Sequence, residues 1–371
     1  MLEIKKDLDS AYLESLEDYN YLHNNPEWGF NLEKTSEYVY KVLKKVGLKP
    51  IKFGNNSIVC YIGDSEETVL FRADMDALKV GDECMHLCGH DIHTSILLGV
   101  ARVLKNNVNK LNKKIKLVFQ PAEELLQGAK YMVEKGVCDD VKEGYRLHVN
   151  LNSQIKNGTV IIPSGGIIAP SSNYFEICIN GKESHGAMVE KGINAVSVGN
   201  VFLNLLNNYI TNEKPLNEES LVSITSFISN DSYNIVPSKA IIKGSIRCYS
   251  EEVFNRIINR MNEIIKFLDE CYKTSSSLKI VDSCPVLIND FKVREKVVKK
   301  LKNSDLNIID VSVESKSTGS EDFSYFSRKI PTLMVALNSK SDEFPLHHKN
   351  VKINKEIIYQ GILYFCLIAI R

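Results

Sequence analysis

Strand and helix patterns alternate along the first 150 residues of this chain, and this alternation limits the folds that it can adopt. Apolar residues recur at helical spacing at 13–19 and 38–46,. Short runs of β-branched or aromatic residues at 57–62, 68–72 and 114–121 predict strands, and a proline ends the last of them,. The order of elements predicts an α/β domain with a mixed, largely parallel central sheet.

A different pattern fills the middle of the chain. After the small-residue stretch at 164–172, the order becomes strand, helix, two strands, helix and strand before the first pattern returns. Such a βαββαβ unit packs two helices on one face of an antiparallel sheet, as in ferredoxin-like modules. We therefore predict a two-domain α/β protein: a discontinuous larger domain at 1–170 and 286–371, interrupted by a ferredoxin-like α+β domain at 171–285.

The charge balance indicates which partners the protein can bind, and the cysteines indicate its cellular compartment. Among 371 residues, Lys+Arg and Asp+Glu both number 46, so no basic excess favours nucleic acid or an anionic membrane,. The apolar run at 361–370 is about half as long as the roughly 20 residues of a membrane span, and we predict a buried helix there,. Nine scattered cysteines predict a reducing cytoplasm,. Small-molecule partners are expected.

The stretch CMHLCGHDIH, residues 84–93, contains two of the nine cysteines and three of the eight histidines. A structural zinc knuckle, a redox pair and half of a catalytic metal site compete to explain it. No second Cys/His pair lies nearby at finger spacing, and Cys84 and Cys88 are not at the spacing of a thioredoxin-like pair,. Gly89 lets Cys88 and His90 converge on one point. These observations favour the catalytic site.

Further candidate ligands follow other predicted strands. Glu123 and Glu124 come after the strand at 114–121; in an extended segment their side chains point apart, so one can bind metal while the other faces substrate,. The alternative is an acidic helix N-terminus. His148 ends a short predicted strand, and His347 lies near the end of the chain. Together with Cys88 and His90, these residues form a candidate set for one or two transition metal ions.

These residues belong to a series of motifs that covers essentially the whole chain. In chain order the motifs are LHNNPEWGF, FRADMDAL, MHLCGHDIHTS, FQPAEE, RLHV, GKESHGAM, NIVPSKAIIKGSIR, GSEDFSYF and LHHKNVKI. This series resembles the metal-dependent amidohydrolases of the aminoacylase type, a metallopeptidase family that includes hippurate hydrolase, indole-acetyl-amino-acid hydrolases and N-acetyldiaminopimelate deacetylase. The resemblance implies a metallopeptidase-like catalytic domain and an inserted lid domain, through which a homodimer or larger homo-oligomer is a candidate assembly.

The resemblance also implies a site for two divalent metal ions, with Zn²⁺, Mn²⁺, Co²⁺ and Ni²⁺ as candidates. Glu123 becomes the catalytic base, because a carboxylate that does not bind metal can accept a proton from water and return it to the leaving amine. Cys88 is expected to bridge the ions. The ligands carried over from the family pattern are Cys88, His90, Glu124, His148 and His347.

The same resemblance implies that residues of the inserted domain contact the substrate. His185 is expected to stabilise the developing oxyanion, in its own or a neighbouring subunit; the alternative is a surface histidine. Arg247 and Asn234 are expected to hold the substrate carboxylate, for which a planar guanidinium is well shaped. A salt bridge within the lid is the alternative for Arg247.

The remaining acidic and histidine residues of the motifs are expected to support the site or the fold. The carboxylates predicted to orient ligands are Asp74, Asp91 and Glu321,. The histidines predicted to be structural are His23, His86, His93 and His348.

The chain departs from the family pattern near the predicted site. Only KVGDEC, residues 79–84, separates DAL from MHLCGHD, where relatives carry a longer loop, which implies a more open pocket. Lys79 stands where proline is common, and MVEKGIN lacks the proline after Met188 and the aspartate at Asn194. Every proposed ligand remains in place, so these changes bear on the substrate and on the packing of the lid.

We therefore predict a cytoplasmic metal-dependent amidohydrolase that cleaves the amide of a small-molecule N-acyl amino acid with metal-activated water and a glutamate base. Deacetylation of N-acetyldiaminopimelate is one specific candidate. A dipeptidase or aminopeptidase of the same family is the alternative within enzymes, and a ligand-binding relative without catalysis is the alternative outside them. No nucleic acid or membrane partner is expected.

Overall fold

The computed structural model of the protein describes residues 2–230, 232–311, 316–341 and 343–370. Within this part of the chain the α-helices are α1 (Leu2–His23), α2 (Glu33–Lys45), α3 (His90–Asn106), α4 (Gly128–Glu134), α5 (Ala195–Asn208), α6 (Glu251–Tyr272), α7 (Phe291–Leu301), α8 (Ser324–Ser327) and α9 (Ile358–Ala369). The strands are β1 (Ile51–Gly54), β2 (Ser57–Ile62), β3 (Thr68–Asp74), β4 (Leu78–Val80), β5 (Glu83–Met85), β6 (Lys114–Gln120), β7 (Val141–Leu151), β8 (Val160–Ile162), β9 (Gly166–Ala169), β10 (Ser171–Asn180), β11 (Ser184–His185), β12 (Ser220–Ile228), β13 (Ile235–Val236), β14 (Lys239–Cys248), β15 (Ser275–Cys284), β16 (Leu287–Asn289), β17 (Ile308–Asp310) and β18 (Thr332–Ser339).

The chain divides into two compact units, and the predicted insertion at 171–285 lies within the second of them. The first unit is Met1–Ile168, Leu287–Lys316 and Glu321–Arg371, and the second is Ala169–Val286 and Ser317–Ser320.

An eight-stranded mixed sheet forms the centre of the first unit, in the order β1-β2-β6-β3-β7-β18-β8-β17 among the described residues. The strands β6, β3, β7 and β18 are mutually parallel along this order, whereas the pairs β1–β2, β2–β6 and β18–β8 are antiparallel. The predicted mixed sheet is confirmed. Because the four parallel strands share a direction, their carboxyl ends meet at one edge, where α/β proteins place their ligand sites.

Helix α3 illustrates how the sequence pattern builds the core of this unit. Ile92, Ile96, Val100 and Leu104 recur every four residues and are all fully buried,. Their helix packs against α1 and α9, and each such side chain contributes about 1.5–3 kcal/mol when it is fully buried. The apolar run near the C-terminus lies largely in α9, as predicted. None of the described helices is long and apolar enough to cross a membrane.

The second unit contains the predicted βαββαβ arrangement. Its antiparallel sheet has the order β12-β14-β10-β15, and helices α5 and α6 pack against it. Helix α6 buries Val253, Ile257, Met261, Ile264 and Leu268 at helical spacing,. The ferredoxin-like prediction is confirmed. Strands β11 and β13 form an additional antiparallel pair, which the sequence did not predict because two residues are too few to show an alternating pattern,.

Candidate metal centre

The turn before α3 places Cys88 and His90 next to each other. Gly89 has a left-handed φ of 83°, and a Cβ on this residue would lie 2.9 Å from the Val149 side chain, so glycine is required on both counts,. His90 opens α3, and its Nδ1 donates to the main-chain oxygen of Asp76 at 2.8 Å. This bond leaves Nε2 of His90 as the nitrogen available to a ligand.

The Cys88 sulfur is the meeting point of two more candidate ligands. It lies 3.5 Å from Nε2 of His148 and 3.2 Å from Nε2 of His347. Nδ1 of His148 donates to the Val149 carbonyl at 2.7 Å, which turns Nε2 toward the thiol. The amide of His347 donates to the carbonyl of Leu87 at 3.0 Å, which ties the late loop to the turn that carries Cys88.

The two glutamates lie in a turn, so the predicted extended segment was wrong, and helix α4 begins only at Gly128. Ala122 has a φ of 54°, a left-handed conformation that costs a non-glycine residue about 1–3 kcal/mol and is found mostly at functional sites,. Oε1 of Glu124 lies 3.8 Å from Nε2 of His90 and 3.7 Å from Nε2 of His347. Oε2 of Glu123 lies 3.8 Å from the same His90 nitrogen. The structure thus brings Glu123 and all five predicted ligands together.

The donor atoms form three overlapping groups, each with its atoms within 4.8 Å of one another: Cys88, His90 and His148; Cys88, Glu124 and His347; and His90, Glu123 and Glu124. Nε2 of His90 and Oε1 of Glu124 are buried without a hydrogen-bond partner among the described residues. Such groups are costly unless something binds them. Thiolate, imidazole and carboxylate donors suit zinc, manganese, cobalt or nickel, so the residues present fit transition metal ions.

Burial shifts the pKa values of most of these groups toward their neutral forms, and it holds the pKa of His148 well below its ordinary value. Burial raises the pKa of the Cys88 thiol to about 12, although His90 opposes the shift. Burial also raises the pKa of Glu123 to about 7, with Asp322 adding to it, and the pKa of Glu124 to about 7, with Glu123 adding to it. Burial lowers the pKa of His90, but Asp74 and Cys88 outweigh this effect and hold that pKa well above its ordinary value. A bound cation would relieve the cost of ionising the thiol and the carboxylates.

Asp74 lies between two buried arginines beneath the candidate ligands. Its carboxylate accepts from Nη1 of Arg72 at 2.7 Å and from Nη2 of Arg146, and its Oδ2 is 3.5 Å from Nε2 of His90. Burial raises the pKa of Asp74, but Arg146, His90 and Arg72 together hold it well below its usual range. Asp74 also accepts from Nδ1 of His93 at 2.6 Å.

Glu321 and its neighbour Asp322 complete this ionic network. Glu321 pairs with Arg146 and accepts from the amide of Phe323 at 3.0 Å. Asp322 accepts from Arg72 at 2.6 Å and from the Gln120 amide at 2.7 Å. Burial raises the pKa of Asp322 to about 6. Asp322 was not predicted from the sequence; arginines on two buried strands, which require carboxylate partners, were the available signal.

Asp91 and the histidines predicted to be structural lie around this network. Asp91 accepts from His23 at 2.7 Å and from the Ile92 amide at 2.9 Å, and among the described residues it makes no hydrogen bond to a proposed ligand. His93 also accepts from the Val149 amide at 2.9 Å, and burial lowers its pKa to about 4. The remaining two are His86, which is buried with neither ring nitrogen hydrogen-bonded to a described residue, and His348, which stacks on Phe344.

His185 lies in the small β11–β13 sheet of the second unit, and Asn234 directly precedes β13. Both are exposed, and the amide of Gly186 donates to the Asn234 carbonyl at 2.7 Å. Arg247, at the end of β14, donates to Oγ of Ser320 at 2.9 Å. No carboxylate in the described part of the chain pairs with Arg247, so the salt bridge considered for this residue receives no support.

Comparison with known proteins places this site in a family. Residues 70–371 match Peptidase family M20/M25/M40. The chain is 29% identical to thermostable carboxypeptidase 2 of Saccharolobus solfataricus, over 94% of this chain and 93% of that protein. It is 32% identical to the N-acyl-L-amino acid amidohydrolase of Geobacillus stearothermophilus, over 74% and 77%. The crystal structure of the Bacillus subtilis YXEP protein, described as a dinuclear metal-binding peptidase of family M20, superposes with a TM-score of 0.80 at 23% identity, covering 97% of each chain.

The chain belongs to the M20/M25/M40 peptidase family. It is a metal-dependent hydrolase that acts on amide bonds. The alternative of a ligand-binding protein without catalysis is set aside by this result.

Proposed function

We propose that this enzyme hydrolyses the amide of N-acyl amino acids, with N-acetyl amino acids as the first choice and N-acetyldiaminopimelate as one candidate. The observation that carries the proposal is the placement of Glu123 beside five convergent side chains that could bind metal. The Geobacillus stearothermophilus relative is named for N-acyl-L-amino acids. The Saccharolobus solfataricus relative is named a carboxypeptidase, so peptide hydrolysis is the second candidate.

The proposed ligands would hold two divalent metal ions, and Cys88 belongs to both of the donor groups that would receive them. His90 and His148 belong to one donor group with Cys88, and Glu124 and His347 belong to the other. The description of the YXEP protein as dinuclear supports two ions. Bound ions would lower the pKa of a water and polarise the amide carbonyl. Zinc and manganese are our first choices for the metal.

Glu123 is suited to carry the proton in this reaction. Its carboxyl is buried, and its pKa is raised to about 7 by burial and then by Asp322. A group with this pKa can accept a proton from the attacking water and donate it to the leaving amine near neutral pH. Glu124 has a similar pKa, but its Oε1 is close to both His90 and His347, a position that suits a metal ligand.

We assign the substrate contacts to the second unit. His185 stabilises the oxyanion, and Arg247 and Asn234 hold the substrate carboxylate. Arg247 supports this assignment because its described partners are a hydroxyl and a carbonyl, which leave its charge uncompensated. We also propose assembly through this unit. Because no disulfide joins any of the nine cysteines in the described part of the chain, we place the enzyme in the cytoplasm,.

Amine release from a panel of substrates tests the proposed function. The panel contains N-acetyl and N-benzoyl amino acids, N-acetyldiaminopimelate and dipeptides, each with zinc, manganese or cobalt supplied. Faster turnover of an N-acyl amino acid than of any dipeptide is expected. Preferential cleavage of dipeptides would replace the proposal with a dipeptidase, and no cleavage of any substrate would contradict it.

A further inference from the structure

We infer that Asp76 positions both glutamates of the site. This role rests on the proposed function and adds a positioning residue to it. Asp76 follows β3 and is only 1% exposed. Its Oδ1 accepts from the amide of Glu123 at 3.0 Å, and its Oδ2 accepts from the amide of Glu124 at 3.2 Å. One carboxylate therefore holds the main chain of the proposed base and of a proposed ligand.

The shape of the glutamate turn explains why a carboxylate is needed. Ala122 adopts its left-handed conformation while its amide donates to the carbonyl of Gly29 at 3.1 Å. The turn that follows points two consecutive N–H groups in one direction, at Asp76. Each is a donor that is costly to leave unpaired in a buried site. A carboxylate supplies two acceptor oxygens, whereas an asparagine would supply one acceptor and one opposing donor.

The main chain of Asp76 makes separate bonds that anchor it. Its carbonyl accepts from Nδ1 of His90 at 2.8 Å. The neighbouring amides are also held, because Met75 donates to the carbonyl of Gln120 at 2.8 Å and Ala77 donates to that of Glu27 at 2.7 Å. A substitution at Asp76 that preserves the main chain therefore disturbs the glutamates and keeps the main-chain bond to His90, although it also removes the carboxylate charge whose Oδ1 lies 3.5 Å from Nδ1 of His90.

A double-mutant cycle on the metal-loaded enzyme tests this role. Asp76→Asn should lower kcat for the best N-acyl substrate by on the order of a hundredfold, because a small displacement of a proton-transfer group has such an effect. The value of KM should change much less. If Asp76 acts through Glu123, adding Asp76→Asn to Glu123→Gln should lower the residual kcat by less than about threefold. Independent, multiplying losses at unchanged metal content would overturn the inference, whereas a loss that acts through Glu124 would lower the bound metal.

Asp18 offers a matched control in the same unit. It is a buried carboxylate, 2% exposed, that accepts from Arg102 at 2.6 Å and from the Tyr38 hydroxyl at 2.8 Å. Asp18→Asn should reduce thermal stability while leaving kcat unchanged. If Asp18→Asn and Asp76→Asn lowered kcat equally, the role of Asp76 would be only structural.

Hydrogen exchange of the wild-type enzyme tests the same contact without a variant, in case Asp76→Asn does not fold. The amides of Glu123 and Glu124 should exchange at least about a hundredfold more slowly than in an unstructured chain. Exchange at the unstructured rate would overturn the inference. A wild-type enzyme that cleaves nothing on the panel would contradict the proposed function instead, while this exchange measurement would still report on Asp76.

Discussion

The two units hold most of their candidate functional residues in opposite ways; the exception is His347 of the first unit, whose side chain is 53% exposed. In the first unit, Asp74 is fully buried between the side chains of Arg72 and Arg146. In the second unit, His185 and Asn234 are exposed, and Arg247 is half-buried against neutral partners. Buried ion pairs allow few alternative positions, because separating one such pair costs about 3–5 kcal/mol. Exposed side chains are free to adjust to a ligand.

This difference predicts different consequences of substitution. Changes in the first unit should alter metal binding and the chemical step, since the groups there are placed before substrate arrives. Changes at the exposed residues should alter which substrates are used.

Loss of a proposed ligand should have the largest effect. Cys88→Ala removes the sulfur shared by two donor groups, and His148→Ala removes one imidazole from the first group. Both variants should lose bound metal and nearly all amide hydrolysis, and chelation of the wild type should abolish activity reversibly. Metal content measured by inductively coupled plasma mass spectrometry, together with the turnover rate, tests this prediction. Full occupancy with normal turnover in either variant would remove the residue from the site.

Substitution of the two adjacent glutamates should impair the enzyme in two different ways. Glu123→Gln should retain metal while kcat falls by about 10²–10⁴, the usual contribution of general acid–base catalysis. Glu124→Gln should weaken metal binding, because Glu124 Oε1 lies near both His90 and His347. Metal titration and steady-state kinetics on each variant separate the two. Exchanged phenotypes would reverse the assignment of base and ligand.

Removing the Glu123 charge should stabilise the metal-free protein at high pH. Its pKa is about 7 in the fold, against 4.5 for the unperturbed group, so the folded state binds more protons between these values. The free energy of unfolding of the wild type therefore decreases as pH rises from about 4.5 to 7. Glu123→Gln should gain at most about 3 kcal/mol at pH 8 and nothing near pH 4. Urea unfolding after chelation measures this difference.

Glu143 provides the control of opposite sign. Burial raises its pKa, but the hydrogen bonds from Lys296 and Tyr145 together with the charges of Lys296 and Lys113 outweigh burial and lower it. Glu143→Gln should therefore destabilise the protein at neutral pH and have little effect in acid. A gain from Glu123→Gln that is equal at all pH values would mean that relief of side-chain packing, and not of charge, explains it.

Arg247→Ala should have the smallest effect, confined to substrates with a free carboxylate. A charge-assisted contact contributes about 1.5–3 kcal/mol, or roughly ten- to hundredfold in kcat/KM. The uncharged carboxamide analogue should lose almost nothing, and Arg247→Lys should restore only part of the activity. Equal losses on both substrates would make Arg247 a structural residue and would weaken the contrast between the units.

Local pattern was enough to predict the longer elements and to indicate candidate ligands, whereas the separate roles of the two glutamates came from the family resemblance. Ile92, Ile96, Val100 and Leu104 are spaced for a helix whatever packs against them, and burial of all four followed,. The candidate ligands lie near the carboxyl ends of parallel strands or in the loops beyond them, so the order of elements was enough to expect them at one edge of the sheet. Residue chemistry then indicated a metal site.

Only the tertiary structure decided how that site is supported. Asp76 reaches the amide of Glu123 across 47 residues, and Arg72 reaches Asp322 across 250. Asp76 carries no local signal, because aspartate is common and its partner depends on how distant segments pack. The buried arginines require carboxylate partners, but only packing decides that Asp322 is one of them. The turn at Ala122 could not be predicted from the sequence either. Alanine rarely adopts a left-handed conformation, and only surrounding contacts can hold it there,. The sequence by itself determined which groups are available, and packing over long separations determined which of them meet.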